Sequence, residues 1–503
     1  MDRAAIEMLH YSFRYRMAEE WVLKDVELKL HYGEFMLLSG LSGEGKSTLL
    51  HCLNRIIPHI IQGEEQGELL IDGAASGDRK PSEISKILGS VLQDADSQII
   101  NYIAEDEIAF GCENQNMAPE QIRERIALVC KQLCLEPQWF TRSLSGGQKQ
   151  RLITASILAM GQKILVFDEP LANLDLEGTH TLLRLLKQLT REGYAVLMME
   201  HRIDMVLPYA DTVYWLKKGK VIPYEALPKD FLQHGVIPWS ADIEYSGNNA
   251  DDRNQKQGRK AVSGYGLQTS EGLQPCFRME GMGYSVEGKQ ILKDLSLTLH
   301  RGERVVILGE NGSGKTTFLR LLARLIRPTQ GSLEQFLEPG NAKRPSGDWY
   351  RKLGYVYQNP NYQLFMPTVI QEVAYQSSGK EIAEEMIQRF ELEELRNRHP
   401  QSLSEGQKRR LTIACIMAME PQVLLLDEPT VGQDYNGLTN ILRQLKLLHE
   451  KNNSAMITIT HDFRCARAFA DRILWIRQGR LYKDGGVELA EEYFKELSFV
   501  PEQ

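Results

Sequence analysis

The chain carries one set of landmarks twice. Gly40-Leu41-Ser42-Gly43-Glu44-Gly45-Lys46-Ser47-Thr48 returns as Gly309-Glu310-Asn311-Gly312-Ser313-Gly314-Lys315-Thr316-Thr317, with the two lysines 269 positions apart. Leu144-Ser145-Gly146-Gly147-Gln148 returns as Leu403-Ser404-Glu405-Gly406-Gln407, and Phe167-Asp168-Glu169-Pro170 as Leu426-Asp427-Glu428-Pro429, both at an offset of 259. Glu200-His201 returns as Thr460-His461 at 260. Landmarks in one order at nearly constant spacing mean two copies of one domain. The fall from 269 to 259 makes the second copy 10 residues shorter between its lysine and its Leu-Ser motif.

Between the copies the texture changes. Residues 236–275 are rich in Gly, Asn, Ser, Gln and charge and show no apolar period, so they are expected to form a flexible linker that cannot bury enough surface to order itself. The expected division is therefore a first domain over 1–235, a linker over 236–275 and a second domain over 276–503. Within each copy, short apolar runs alternate with helical stretches. Phe35-Met36-Leu37-Leu38, Ile164-Leu165-Val166-Phe167 and Ala195-Val196-Leu197-Met198-Met199 read as buried parallel strands, as do their counterparts in the second copy. The pattern predicts an α/β fold with a mostly parallel sheet.

Chemistry is expected at the strand ends. A G-x-x-x-x-G-K-[ST] loop between strand and helix cradles phosphates: its glycines turn backbone N–H groups inward, and the helix N-terminus favours negative charge. Lys46 and Lys315 are expected to reach the β- and γ-phosphates, and Ser47 and Thr316 to ligate Mg²⁺. Asp168 and Asp427 end an apolar run, where a carboxylate can hold Mg²⁺ through water. Glu169 and Glu428 follow, placed to polarise water for in-line attack on the γ-phosphate. Glu44 puts a carboxylate inside the first loop, where a small residue is more usual.

With these motifs in hand, the chain resembles two ATP-binding-cassette (ABC) ATPase domains in tandem. The discriminating motif is the signature, Leu144–Gln148 and Leu403–Gln407, which other phosphate-loop ATPases lack. The resemblance implies, for each copy, a RecA-like sheet core with an antiparallel β part and a helical subdomain. It implies ATP and Mg²⁺ as cofactors. Gln93 and Gln358 match the Q-loop glutamine, His201 and His461 the switch histidine, and Asp175 and Asp434 the D-loop aspartate. Tyr15 and Tyr284 match the aromatic that stacks on adenine. In this family two cassettes close head to tail over two ATP molecules. The resemblance therefore implies that Lys46, Asp168, Glu169 and His201 work with Ser404, Gly406 and Gln407, and that Lys315, Asp427, Glu428 and His461 work with Ser145, Gly147 and Gln148, the cassettes pairing within one chain. Two departures remove no catalytic atom: Glu405 stands where glycine is common in the signature, and Gln433 where leucine is usual in the D-loop. Two competent sites are expected.

The residues around the Q-loops are similar to one branch of the family. Val356-Tyr357-Gln358-Asn359-Pro360-Asn361-Tyr362-Gln363-Leu364-Phe365 resembles the Q-x-P-x-x-Q-L-F pattern of energy-coupling-factor ATPases, which drive uptake of vitamins and transition-metal ions. Val91-Leu92-Gln93-Asp94-Ala95-Asp96-Ser97-Gln98-Ile99-Ile100 is a looser version. This resemblance implies docking, through a groove near Gln98 and Gln363, on coupling helices of a transmembrane scaffold, with a separate small membrane protein capturing the substrate. The chain would sit peripherally on the cytoplasmic face of the membrane. A soluble tandem ATPase acting on ribosomes is the first alternative; such proteins usually carry a long, charged helical linker, unlike 236–275. A tandem sugar-importer ATPase is the second; those commonly have a degenerate second copy, whereas Lys315, Asp427, Glu428 and His461 are intact here.

Composition narrows the field further. Lys+Arg number 59 against 67 Asp+Glu, a net charge of −8, which argues against nucleic acid as a partner. No apolar run approaches the ~18 residues needed to span a bilayer, and the N-terminal residues lack a signal-peptide core. Seven scattered Cys suit a reducing compartment. Cys130 and Cys134 are expected to share a helix face as two packing thiols rather than a metal site.

Overall fold

The computed structural model describes residues 4–224 and 274–498, apart from positions 17, 42, 94, 172, 173, 338–346, 376 and 434. The chain divides into two compact units, the first made chiefly of Met1–Trp239 and the second chiefly of Ser240–Val431 and Gly437–Gln503. Nearly all of the expected linker lies outside the described residues, and the next described strand begins at Pro275, the last position of that expected range.

In the first unit a six-stranded sheet runs Lys220–Pro223, Thr212–Lys217, Phe35–Gly40, Ala195–Met199, Ile164–Asp168, Leu88–Val91 in spatial order. Every pairing is parallel except that of the edge hairpin Thr212–Lys217 with Lys220–Pro223. The runs are apolar throughout because both faces are covered. Phe35, Leu37, Leu165, Phe167, Val196 and Met198 point into one core, which also holds the helices Ala104–Asn114, Pro119–Leu133 and Gly146–Met160. Met36, Leu38, Ile164, Val166, Ala195, Leu197 and Met199 point into the other, against the helix Lys46–Leu53 and an antiparallel sheet. That sheet pairs Ala4–Tyr15 with Leu23–His31 on one side and Gly63–Ile71 on the other.

The second unit repeats this order: Arg480–Gly485, Arg472–Arg477, Arg304–Leu308, Ala455–Ile459, Val423–Asp427, Leu353–Val356. Its antiparallel sheet joins Pro275–Val286 to Lys289–His300 and Gln330–Gln335. The fold class is the expected one: α/β with two mostly parallel sheets, each accompanied by an antiparallel sheet and helices. Part of the second copy's shortening falls in its helices. Ala104–Asn114 and Pro119–Leu133 have 11 and 15 residues, and their counterparts Val369–Tyr375 and Lys380–Arg389 have 7 and 10.

The helix Leu176–Arg191 shows how sequence dictates these elements. Asp175 caps it, its Oδ1 accepting the Gly178 N–H at 2.8 Å. Leu182, Leu186 and Leu189 recur at helical spacing and are buried with Leu183, each contributing about 2 kcal/mol by leaving water. Gly193, at φ 86°, ends it in the left-handed region.

One expectation fails. Cys130 is buried in the helix Pro119–Leu133, but Cys134 is exposed. The helix stops at Leu133, and Cys134 is its left-handed cap at φ 52°, which swings the side chain off the buried stripe.

Candidate functional site

The phosphate-binding loop of each copy leaves an inner strand of the mostly parallel sheet, Phe35–Gly40 or Arg304–Leu308, and enters the helix Lys46–Leu53 or Lys315–Leu322. Gly45 and Gly314 precede the helices at φ 109° and 100°, where a side chain would be strained. The lysine ammonium is buried and turned back over its own loop. Lys46 Nζ donates to Gly40 O at 2.8 Å and Leu41 O at 3.0 Å; Lys315 Nζ donates to Gly309 O at 2.7 Å and Glu310 O at 2.8 Å. Ser42 lies outside the described residues. The unusual Glu44 does not face inward; its carboxylate accepts the Lys218 N–H in the edge hairpin. Gly43, Gly312, Asn311 and Thr317 lie in or directly after the loops.

Ser47 Oγ donates to Asp168 Oδ2 at 3.3 Å, and Thr316 Oγ1 to Asp427 Oδ1 at 3.3 Å. The all-oxygen pair of hydroxyl and carboxylate suits a hard divalent cation such as Mg²⁺. Burial, reinforced by the Glu169 charge, pushes the Asp168 carboxyl up to about 6. Burial raises Asp427 as well, and the Tyr355 hydroxyl reaches its Oδ2 at 3.5 Å. The first copy has Ser90 at the corresponding strand position, bonded instead to Asn54.

Glu169 and Glu428 leave their strands at φ 48° and 54°, a conformation non-glycine residues adopt seldom and at a cost of roughly 1–3 kcal/mol. Their N–H groups are fixed by the neighbouring strand, Glu169 to Met199 O at 2.9 Å and Glu428 to Ile459 O at 3.0 Å. This turn aims each carboxylate at two partners. His201 Nε2 stands 2.8 Å from Glu169 Oε1, and Gln93 Nε2 donates to Glu169 Oε2 at 2.8 Å. In the second copy His461 Nε2 and Gln358 Nε2 both approach Glu428 Oε1, each at 3.5 Å. Glutamine, glutamate and histidine, drawn from a stretch of more than 100 positions of sequence, meet in both copies.

Ser145 and Ser404 each begin a helix, Gly146–Met160 and Glu405–Met417, in a reciprocal cap with Gln148 or Gln407. Gln148 N donates to Ser145 Oγ at 3.3 Å and Ser145 N to Gln148 Oε1 at 2.9 Å; Gln407 and Ser404 repeat this at 3.3 and 3.1 Å. Gly147 and Gly406 lie in the first turns. Glu405 pairs with Lys408 at 3.3 Å along its own helix. Tyr15 ends the strand Ala4–Tyr15, its hydroxyl 2.8 Å from Thr48 Oγ1 on the phosphate-loop helix. Tyr284 lies in the strand Pro275–Val286 against the core of its unit. Asp434 lies outside the described residues.

Two pairs of residues play structural parts that the motif reading did not assign, Gln98 with Gln363 and Glu107 with Glu372. Gln98 Oε1 accepts the Leu92 N–H at 2.7 Å while its Nε2 donates to Ser90 O at 3.2 Å. Gln363 does the same with Tyr357 N at 2.9 Å and Tyr355 O at 2.7 Å. These glutamines brace the backbone beside the Q-loop glutamines. Glu107 and Glu372 are buried carboxylates whose Oε2 collects the N–H groups of Ile100 and Asn101, or of Phe365 and Met366, at 2.7–3.0 Å. Large apolar side chains stay exposed next to these loops: Ile100 and Tyr102 in the first copy, Tyr362 and Phe365 in the second.

The family model described as "ABC transporter" matches residues 23–172 and again 292–431, which take in the phosphate loop, the glutamine, the Leu-Ser motif and the Asp-Glu pair of each copy but not His201 or His461. A protein of Methanosarcina mazei described as "Putative ABC transporter ATP-binding protein" is 34% identical over 95% of this chain and 88% of its own length. The chain belongs to the ABC transporter family as a tandem ATP-binding protein, and it is an ATPase. A Bacillus subtilis relative named "Putative HMP/thiamine import ATP-binding protein YkoD" is 31% identical over 94% of this chain and 90% of that protein. Among solved structures, a complex of an archaeal ribosomal stalk protein with the archaeal ribosome recycling factor aABCE1 matches with a TM-score of 0.63 and 19% identity, covering 94% of this chain and 90% of that one. At that identity the likeness is one of fold.

Proposed function

We propose that the chain is the ATP-hydrolysing subunit of an importer of the energy-coupling-factor type, powering uptake of a small molecule such as a vitamin or a metal ion through separate membrane subunits. The observation that carries this reading is the intact, duplicated constellation: lysine over the phosphate loop, hydroxyl against aspartate, and glutamate between glutamine and histidine. Glu169 and Glu428 would accept a proton from the attacking water, His201 and His461 would orient it and contact the γ-phosphate, and Lys46 and Lys315 would meet the phosphates. Mg²⁺, when bound beside Ser47 and Asp168 or Thr316 and Asp427, would offset charge on the phosphates. Tyr15 and Tyr284 would stack on adenine. Ser145, Ser404 and the backbone N–H groups beginning their helices would bind γ-phosphate, and Asp175 and Asp434 would serve the D-loops. ATP-driven closure of the cassettes, released by hydrolysis, would then drive the membrane partners.

The importer branch is supported by the Q-x-P-x-x-Q-L-F pattern around Gln358 and Gln363 and by the relative named for HMP/thiamine import. Among the described residues no helix is long and apolar enough to cross a membrane. The chain would therefore be held at the cytoplasmic face by a transmembrane scaffold and a small substrate-capture protein. The test is purification of the tagged full chain from detergent-solubilised membranes. A polytopic scaffold and a small multi-span protein are the expected companions; ribosomal proteins in their place would overturn the reading.

A further inference from the structure

The two histidines are flanked by unlike residues. Glu200 and Arg202 surround His201, whereas Thr460 and Asp462 surround His461. Glu200 is 3% exposed. Its Oε2 accepts the backbone N–H of His201 at 2.6 Å, and its carbonyl accepts Ser39 Oγ at 2.7 Å, one residue before Gly40. Glu200 Oε1 is buried without a hydrogen-bond partner among the described residues, and Arg202 Nε stands 3.9 Å away. The Arg202 guanidinium in turn donates to Leu171 O, two residues beyond Glu169. Two tethers thus run from the His201 segment: the main-chain carbonyl of Glu200 to Ser39 in the strand that feeds the phosphate loop, and the Arg202 side chain to the loop that follows Glu169.

In the second copy the flanking residues make a different set of bonds. Thr460 Oγ1 accepts the Asp462 N–H at 3.0 Å. Asp462 caps the helix Phe463–Phe469, accepting Arg464 N at 2.8 Å, and pairs with the Arg464 guanidinium at 2.6 Å. The residue after the histidine is an anion serving its own helix, where the first copy has a cation reaching across to the glutamate's loop. The histidine–glutamate distances follow this contrast, 2.8 Å in the first copy and 3.5 Å in the second.

We propose that Glu200 and Arg202 are positioning residues of the first site alone: the Glu200 carboxylate holds the His201 main-chain N–H and the Arg202 guanidinium ties the segment to the loop after Glu169, so that His201 is held against Glu169. This rests on the reading that Glu169 and His201 act in hydrolysis. Two sites with the same catalytic residues then differ in rate, because a histidine already in place loses less freedom on reaching the reacting geometry. A misplacement of ~1 Å in such a group costs on the order of 10²-fold in rate, so a partial loosening of the His201 segment is expected to cost on the order of tenfold.

The test uses the full chain with the second site disabled by E428Q. Adding E200T/R202D, the residues of the second copy, should lower kcat roughly tenfold while KM for ATP moves less than twofold. R202A should give part of this loss, and R202K should recover most of it, since an ammonium can still donate to Leu171 O. The reverse transplant T460E/D462R, in a chain with the first site disabled by E169Q, should raise kcat. A rise in KM with kcat unchanged, or failure of R202K to exceed R202A, would overturn the proposal. Where steady-state turnover is lost, single-turnover hydrolysis with protein in excess is measured; no hydrolysis in the E428Q chain also overturns the proposal, since the first site then has no rate of its own to control. If E169Q alone left full turnover, the hydrolytic reading itself fails, which is a separate outcome. Melting curves separate either result from misfolding.

Discussion

Gln93 and His201 grip opposite oxygens of the Glu169 carboxylate, each at 2.8 Å. A carboxylate held from both sides is aimed rather than merely present, and its backbone at φ 48° fixes the same direction from below. The consequences of this arrangement, and of the buried groups around it, can be measured.

Replacing either glutamate by glutamine keeps the shape and the hydrogen-bonding capacity but removes the base. E169Q and E428Q should each slow ATP hydrolysis at the affected site by about 10²–10³-fold while ATP binding stays within a few-fold. Phosphate release and nucleotide-binding titrations on the same preparations check this. Full turnover in both variants would discard the proposed base.

Asp175 caps the helix Leu176–Arg191 through Gly178 N. Asp175→Ala should cost about 1 kcal/mol and lower the melting temperature of its unit by a few degrees, whereas Asp175→Asn should keep most of the cap. If hydrolysis falls in the asparagine variant although its melting curve is unchanged, the residue acts in the D-loop beyond capping.

Burial raises the Glu200 carboxyl above its ordinary range. A carboxyl whose folded-state pKa lies above its unfolded value binds its proton more tightly when folded. Its contribution is therefore complete below the unfolded value and is lost as pH rises through the folded one. Glu200→Gln, neutral at every pH, should stabilise the first unit at pH 8 by about 1–2 kcal/mol, and the gain should shrink toward pH 5. Melting curves across that range decide it; a gain independent of pH would mean that charge burial is not its cause.

Burial pushes the thiols of Cys52, Cys276 and Cys465 up to about 12, while Cys134 is exposed at a helix end. Iodoacetamide at pH 8 should label Cys134 first and leave those three untouched until guanidinium unfolds the chain. Peptide mass spectrometry reads the order directly. Early labelling of Cys465 would show that the second unit opens near His461.

The duplicated fold was legible because its strands are buried on both faces and so read as unbroken apolar runs, and because the loops between them carry fixed motifs. The meeting of Gln93, Glu169 and His201 was legible only through the family resemblance, since no local pattern joins residues that far apart. The roles of Gln98, Gln363, Glu107 and Glu372 were not legible. Their partners are main-chain amides and carbonyls, which look the same at every position of a sequence. A signal existed nonetheless: both pairs recur at an offset of 265, the same as Gln93 and Gln358. Cys134 was misread because a helix end is set by its cap rather than by the apolar stripe that leads to it.

The shortened helices Val369–Tyr375 and Lys380–Arg389 have a further implication. In an assembly of two identical chains every trimming is made on both sides at once. Joining the copies in one polypeptide removes that obligation, and here the two copies differ in the length of these helices. The molecule therefore carries a left and a right. A partner that touched both copies would meet two unlike footholds.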